Sequence, residues 1–304
     1  MTISSRPAKL PNNRIYVSEE KVLRGCVKLC LFSVAAALAS ATAEGGTMAS
    51  GSKTGFGRDV TSTATPPWVG AGVSRAAYED FQSFWETFEK QPRAGDFAIP
   101  RVIVWLNGAP GAGKGTNSSY VCDAFDVKEP PVVTSDLLAS PAFVAAKESG
   151  KLVRDSAVTS LLFSTILSRR YAGGVVVDGY PRTAVQAECV KLLHEKILSM
   201  KQRSNFQVVI FDVSERVSVE RQLGRGVQAQ RHNDRVEKLG EGQLVEIRKT
   251  DKSSEAARHR FQVFVEETDG ALKIFRGLFP CHRISAEGSF DQVRSNIYRT
   301  LKHI

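Results

Sequence analysis

The run Gly108-Ala109-Pro110-Gly111-Ala112-Gly113-Lys114-Gly115-Thr116 carries the residue types that hold a polyphosphate. Glycines at 108, 111, 113 and 115 let the backbone turn tightly and aim its N–H groups inward, and Lys114 adds a point charge. The run follows Arg101-Val102-Ile103-Val104-Trp105-Leu106-Asn107, a β-branched apolar segment that reads as a buried parallel strand. A helix opening behind Lys114 would turn its positive dipole end toward the anion. A strand in front and a helix behind separate a phosphate loop from an ordinary Gly-rich turn. The Gly between Lys114 and Thr116 departs from the strict G-x4-G-K-[ST] pattern.

A carboxylate just past a second buried strand suits a hydrated magnesium ion, and Asp178 stands there, after Val175-Val176-Val177. Arg182, four residues on, falls at the strand's C-terminal edge, where a guanidinium can grip a phosphate bidentately. Further arginines follow at 221, 225, 231, 235, 248, 258 and 260, some of them ordinary surface charges. Arg221 and Arg225 lie four apart on one helical face, before a polar, Gly-containing excursion. Such an insertion between arginines reads as a lid that brings cations in and shuts water out.

The elements that must position these groups alternate as a doubly wound parallel sheet requires. Strands are expected at 101–107, 132–134, 175–177, 208–211 and 282–284. Helices are expected behind the glycine loop, from Asp136 with Ser135 as N-cap, at 141–149, 155–171, 184–200, 217–223 and 254–278, and from Phe290. Ahead of them Tyr78, Phe81, Phe84, Trp85 and Phe88 line one face of a helix, read as packing against the core rather than binding a partner. Pro92 and Pro100 frame the loop that leads into the first strand.

In 304 residues, 41 Lys and Arg face 32 Asp and Glu, a net charge of +9. The cations are scattered and no aromatic stacking motif accompanies them, so a basic protein for phosphorylated small molecules is expected, not a nucleic-acid binder. The five cysteines form no C-x-x-C pair, so neither zinc nor a disulfide framework is implied. Residues 1–74 differ from the rest: a basic lead, a small apolar stretch from Cys26 to Ala43, then a Gly/Ser/Thr-rich linker. This reads as a leader to an organelle, plastid or mitochondrion, with a cytoplasmic unstructured tail as the alternative and Met48 as a possible start. The apolar stretch is too short and interrupted for a membrane span.

Beyond the loop at 108–116, the chain reads Asp-Gly-Tyr-Pro-Arg-Thr-Ala-Val-Gln-Ala-Glu at 178–188, Gly150-Lys151-Leu152-Val153, Leu223-Gly224-Arg225 and Ala286-Glu287-Gly288-Ser289. In this order they resemble the adenylate kinase family of nucleoside monophosphate kinases, over about residues 101–300. The resemblance implies a five-stranded parallel sheet with an acceptor-binding insertion near 132–171 and a lid near 225–248. It implies Mg²⁺-dependent transfer of the γ-phosphoryl of ATP to a nucleoside monophosphate, in a monomer without zinc or stable membrane association. Gly108 to Thr116, Arg221, Arg225 and Gly288 would hold ATP. Thr134, Lys151, Val153, Gly179, Tyr180, Arg182 and Gln186 would hold the acceptor, Gln186 reading its base. Lys114, Asp178, Arg182, Arg225, Arg248 and Arg260 would be catalytic, with Thr116 and Asp178 near the metal, Asp178 through water.

Two departures stand out. The acceptor segment reads Val133-Thr134-Ser135-Asp136-Leu137-Leu138-Ala139, with Ala139 where the family keeps an arginine. Losing that charge-assisted contact costs on the order of 1.5–3 kcal/mol unless another cation such as Arg154 substitutes. The lid matches neither the zinc type nor the short R-x-D-D type, which Arg248-Lys249-Thr250-Asp251 only approximates, so that Arg248 and Lys249 compete for one role. AMP leads as acceptor because Thr134 stands where adenine-preferring members keep a Thr. UMP or CMP, a nucleotide-binding regulatory protein with little turnover, and a P-loop kinase of another small molecule remain alternatives.

Overall fold

Val102, Ile103, Val104, Trp105 and Leu106 are all buried, as in a central parallel strand covered on both faces. They form β1 (Val102–Gly108) in a computed structural model that describes residues 72–90, 97–139 and 155–302. The leader, the linker, Pro92, the expected helix at 141–149, Lys151, Val153 and Arg154 lie outside the described residues. Around β1 stand β2 (Val132–Val133), β3 (Val175–Asp178), β4 (Asn205–Asp212) and β5 (Cys281–Ser285). All pairings are parallel, in the order β2-β3-β1-β4-β5, and Leu106 lies opposite Asp178.

Alternation along the strands divides the core into two layers. Ile103, Trp105, Val175, Val177, Val208 and Ile210 face α1 (Arg75–Lys90), α4 (Asp155–Ile166), α5 (Ala184–Ser199) and α8 (Asp269–Leu278). Val102, Val104, Leu106, Val176, Val209 and Phe211 face α2 (Lys114–Ala124) and α9 (Phe290–Leu301). The aromatic helix α1 is a packing helix, as its spacing predicts. Phe81, Phe84, Trp85 and Phe88 are buried, and Phe84 meets Phe163 of α4 edge-on at 5.5 Å between ring centroids.

Several expected boundaries are corrected. The helix expected at 217–223 is α6 (Glu215–Leu239), 25 residues long, so much of the expected loop excursion is helical. Its second half has no apolar stripe. It persists through good helix formers, the Gln230–Asp234 bond at 2.8 Å, and Gly240 in the left-handed conformation as C-terminal stop. The short helix α3 (Thr134–Leu137) begins two residues early, at Thr134, whose hydroxyl donates to the Asp178 carbonyl at 3.0 Å. Ser135 is therefore inside it and caps nothing. The stretch at 155–171 breaks after Ile166 into a 3-10 turn at Arg169–Tyr171. The stretch at 254–278 is α7 (Ser254–Val263), a π turn at Phe264–Thr268, and α8.

Phe81→Ala is expected to lower stability by about 3–5 kcal/mol in a urea titration. Ser83→Ala, exposed on the same helix, should stay within about 0.5 kcal/mol. Equal effects would show that α1 does not pack as described.

Candidate active site

Several helix starts among the described residues are closed by a hydroxyl, while those of α2, α3 and α8 have no side-chain cap. Thr183, Ser214, Ser253 and Ser289 each accept a first-turn N–H with their side chains, at the starts of α5, α6, α7 and α9. Helix α2 is different: its N-cap is Gly113, left-handed at φ 79° and without a side chain. The first-turn N–H groups of Lys114, Gly115 and Thr116 are left facing the loop, an anion site in waiting. Gly108 and Gly111 are needed for close approach. A Cβ on them would meet the carbonyl oxygens of Phe211 and Ser218 at 2.6 and 2.7 Å. Asn107, buried at the end of β1, donates to the Tyr180 carbonyl at 3.1 Å and ties this loop to the one after β3.

Lys114 bends back over the loop, its Nζ donating to the carbonyls of Gly108 at 2.6 Å and Ala109 at 3.3 Å. Burial pulls its pKa down to about 8, opposed by Asp178 and reinforced by the charges of Arg182, Arg260 and Arg225. Asp178, 7 % exposed at the end of β3, is pushed up by burial and pulled back by Lys114 and Arg182. Its carboxylate takes no hydrogen bond from the described residues, which leaves its lone pairs for solvent. Arg182 folds back so that Nε donates to the Gly179 carbonyl at 2.9 Å, and the charge of Arg248 acts on it.

Arg225 makes a bidentate pair with Asp251, both bonds at 2.7 Å, and Asp251 is buried. Burial pushes Asp251 up, but the Arg225 bonds and the charges of Arg225, Arg260 and Arg248 outweigh it and hold the carboxyl below its ordinary value. Gly226 lets the 3-10 turn at Lys249–Asp251 lie directly on α6, where a Cβ would overlap the Asp251 carbonyl. Arg260 donates from Nη1 to Thr250 Oγ1 at 3.1 Å and faces Arg248, Arg225 and Arg182. Arg221 donates to the Ala286 carbonyl at 2.9 Å and reaches Gly111 and Gly288 at 3.4 Å, joining the loops at 108–116 and 286–289.

The expected catalytic residues Lys114, Asp178, Arg182, Arg225, Arg248 and Arg260 thus lie within one another's fields, and Thr116 stands exposed at the start of α2. The acceptor set fares differently. Tyr180 is core: fully buried against Trp105 and Phe163, its hydroxyl 2.8 Å from Thr159 Oγ1, so its side chain lines no site. Thr134 is buried and spent on the Asp178 carbonyl. Gln186 is engaged at both ends, Oε1 accepting from the Arg182 N–H and Nε2 donating to Asp155 Oδ1, both at 2.8 Å. Asp155, Asp251, Asn107 and Gly226 escaped the sequence reading. Asp251 ends the Arg248-Lys249-Thr250-Asp251 run, which was the one available pointer to it.

The adenylate kinase family, described as "Adenylate kinase", matches residues 106–277. The chain belongs to the adenylate kinase family. An adenylate kinase of Xanthomonas campestris pv. campestris (strain B100) is 30 % identical over 205 residues, covering 64 % of this chain and 97 % of that one. The adenylate kinase of Allorhizobium ampelinum is 26 % identical over 215 residues, with the same coverage. A solved gluconokinase from Sinorhizobium meliloti 1021 shares 16 % identity, covers 67 % of this chain and 93 % of its own, and has a TM-score of 0.39, too low to carry an argument. Family membership makes the protein a phosphotransferase of the nucleoside monophosphate kinase type. The five-stranded parallel sheet is the expected P-loop kinase architecture. No helix among the described residues is long and apolar enough to cross a membrane.

Lys114 gives a signed pH prediction. Its folded pKa, about 8, lies below the ordinary 10.5, so the unfolded chain binds the extra proton between those values. Stability of the nucleotide-free protein should therefore rise as pH climbs from about 8 toward 10.5. Lys114→Met should raise stability near pH 7.5 by about 1–3 kcal/mol and abolish that rise, measured by urea titration. A second prediction concerns α6: Gly226→Ala should lower stability by about 1–3 kcal/mol through overpacking against Asp251. Gly224→Ala, with no atom within 4 Å of the new Cβ, should be neutral or stabilising by about 1 kcal/mol.

Proposed function

We propose that this protein is an adenylate kinase, reversibly transferring the γ-phosphoryl of ATP to AMP to give two ADP. The observation that carries the reading is the convergence of Lys114, Arg182, Arg225, Arg248 and Arg260 into linked fields, with Asp178 acting on Lys114 and Arg182, beside a helix start that lacks a side-chain cap. A cation-rich pocket with so little anionic compensation is built for a polyphosphate. The relatives' names point to AMP as the acceptor.

The chain's part in the reaction is positioning and charge. Backbone N–H groups of residues 111 and 113–116, with the Lys114 ammonium, cradle the donor β- and γ-phosphates. Arg221 and Gly288 border the donor, and Arg225, held at a fixed angle by Asp251, presents its remaining donors to the phosphates. Arg182 grips the acceptor phosphate, and Gln186 reads the acceptor base once it releases one of its present partners. Arg248 and Arg260 neutralise the equatorial oxygens of the transferring group. No side chain must take a proton or form a covalent intermediate.

Among the described residues no three His, Cys, Asp or Glu side chains come together as a metal cage. One carboxylate with free lone pairs, Asp178, and the Thr116 hydroxyl fit a magnesium ion that keeps several waters and is held largely by substrate phosphates. Bound there, Mg²⁺ would neutralise charge on the donor phosphates.

Domain roles follow the same reading: a leader and linker at 1–74, a packing helix at 75–100, and the kinase domain at 101–304 with its lid near 225–248. A monomer addressed to an organelle accords with the basic leader.

A coupled assay of the full chain with Mg·ATP and AMP, UMP, CMP or GMP tests the reading. Turnover is expected with AMP, lost in Lys114→Met and reduced about 10²–10³-fold in Arg260→Ala. Preference for UMP or CMP would move the protein to that branch. ATP binding without turnover on any acceptor would make it a regulatory nucleotide binder.

A further inference from the structure

Helix α6 outruns the core, and the chain that returns from it is held by an unusual device. After Leu239 the left-handed Gly240 stops the helix, its N–H bonding the Val236 carbonyl at 2.9 Å, and Gly242 at φ 108° turns the chain back. The returning limb, residues 241–248, has no regular structure of its own. Asn233, in the middle of the overhanging helix, treats Val245 as a neighbouring strand would. Its Oδ1 accepts the Val245 N–H and its Nδ2 donates to the Val245 carbonyl, both at 2.8 Å. His232 Nε2 lies 3.1 Å from the Gln243 carbonyl and adds a third bond in the tautomer that carries its proton there. Apolar burial does not hold the limb, since Leu244 and Val245 remain 60 % and 49 % exposed. The polar latch does.

Three residues beyond Val245 is Arg248, exposed, with its charge acting on Arg182, Arg260 and Asp251. The limb then enters the turn where Asp251 receives Arg225 and Thr250 receives Arg260. Its proximal end is thus fixed by a bidentate pair and its distal end by the Asn233 amide, with Arg248 between them. Releasing the distal end alone would free Arg248 to swing into water and leave Lys114, Arg182, Arg225 and Arg260 where they are.

We infer that Asn233 is a positioning residue for phosphoryl transfer: its amide docks the return limb of the lid onto α6 and so sets Arg248 over the site. This rests on the role given to Arg248 in the kinase reading. Asn233 itself touches no substrate. Its two hydrogen bonds are neutral and near the surface, strong enough to register the limb and weak enough to let it open.

Steady-state kinetics of the full chain with Mg·ATP and AMP test the inference, on Asn233→Ala, Arg248→Ala, the double variant and Gln230→Ala. Ala is the better helix former, so Asn233→Ala is expected to stay folded, checked by its melting curve. It should lower kcat about tenfold and leave both KM values within about twofold, the split expected for a group that acts only in the transition state. In the Arg248→Ala background the same change should add nothing, since the latch then serves no cation. Gln230→Ala, which loses only its bond to Asp234, should keep the wild-type kcat. An unchanged kcat in Asn233→Ala, a loss that multiplies fully with Arg248→Ala, or an equal loss in Gln230→Ala would each overturn the latch. If Arg248→Ala alone leaves kcat intact, the role of Arg248 in the kinase reading fails and the latch falls with it. That result differs from the case in which Arg248→Ala is crippled and Asn233→Ala is not.

Discussion

Lys114, Arg182, Arg225 and Arg260 are held in one another's fields at the C-terminal edge of the sheet, with Arg248 acting on two of them. Among the described residues Asp178 and Asp251 oppose them there, and the helix end beneath Lys114 has no cap of its own. Left to itself such a cluster would fly apart or bind water loosely. It persists because each cation is fixed by backbone or by a neighbour: Lys114 by two carbonyls of its own loop, Arg182 by Gly179, Arg225 by Asp251, Arg260 by Thr250. Burial first, and then the charges of Arg182, Arg260 and Arg225, lower the pKa of Lys114, a cost that an incoming anion would relieve. Stability given up in the empty protein becomes available for binding a polyphosphate.

The two carboxylates divide the work through their surroundings. Asp251 is saturated by Arg225 and held ionised, so it acts as a fixed counter-charge and a hinge pin between α6 and the turn below it. Asp178 has cations near it but no hydrogen-bond donor among the described residues, and burial pushes its pKa up. A carboxylate in that condition is available for a hydrated cation, whereas one already bonded twice is not. The same side chain type therefore serves as structure in one place and as a prospective ligand in the other.

What could be read from the sequence was local. The glycine loop, the Asp178-to-Arg182 run and the strands before them each lie within a few residues, and the α1 aromatics repeat at helical spacing. Those features gave the sheet, its phosphate edge and the packing of α1. What escaped was set by distant partners or by the absence of a pattern. Arg225 and Asp251 are 26 residues apart, Gln186 and Asp155 are 31, and Asn107 and Tyr180 are 73. No spacing rule links them. The overhang of α6 was hidden because a helix with water on most sides needs no apolar stripe, and its caps and i,i+4 pairs look like loop chemistry. The burial of Tyr180 was not legible, because nothing in the run from Asp178 to Arg182 shows that tertiary packing turns its ring into the core.

Ala139 and the proposed lid bear on each other. An arginine at 139 would have supplied a cation from the short segment after β2, on the near side of the sheet edge. Without it, Asp178, Arg248, Lys114 and Arg260 are among the charges that act on or with Arg182. Arg248 arrives from the far end of the chain's polar excursion, on a limb whose apolar residues stay in solvent. Positive charge on that side of the site then depends on how the limb is docked, more than in a site where the acceptor segment carries its own arginine. In the reading proposed above, the 25-residue α6 with its side-chain latch serves that dependence. It extends the lever far enough to fold the limb back over the site and registers it by two amide bonds rather than by burial. A lid held that way can open without exposing a hydrophobic face, and the cluster beneath stays anchored to the sheet while it does.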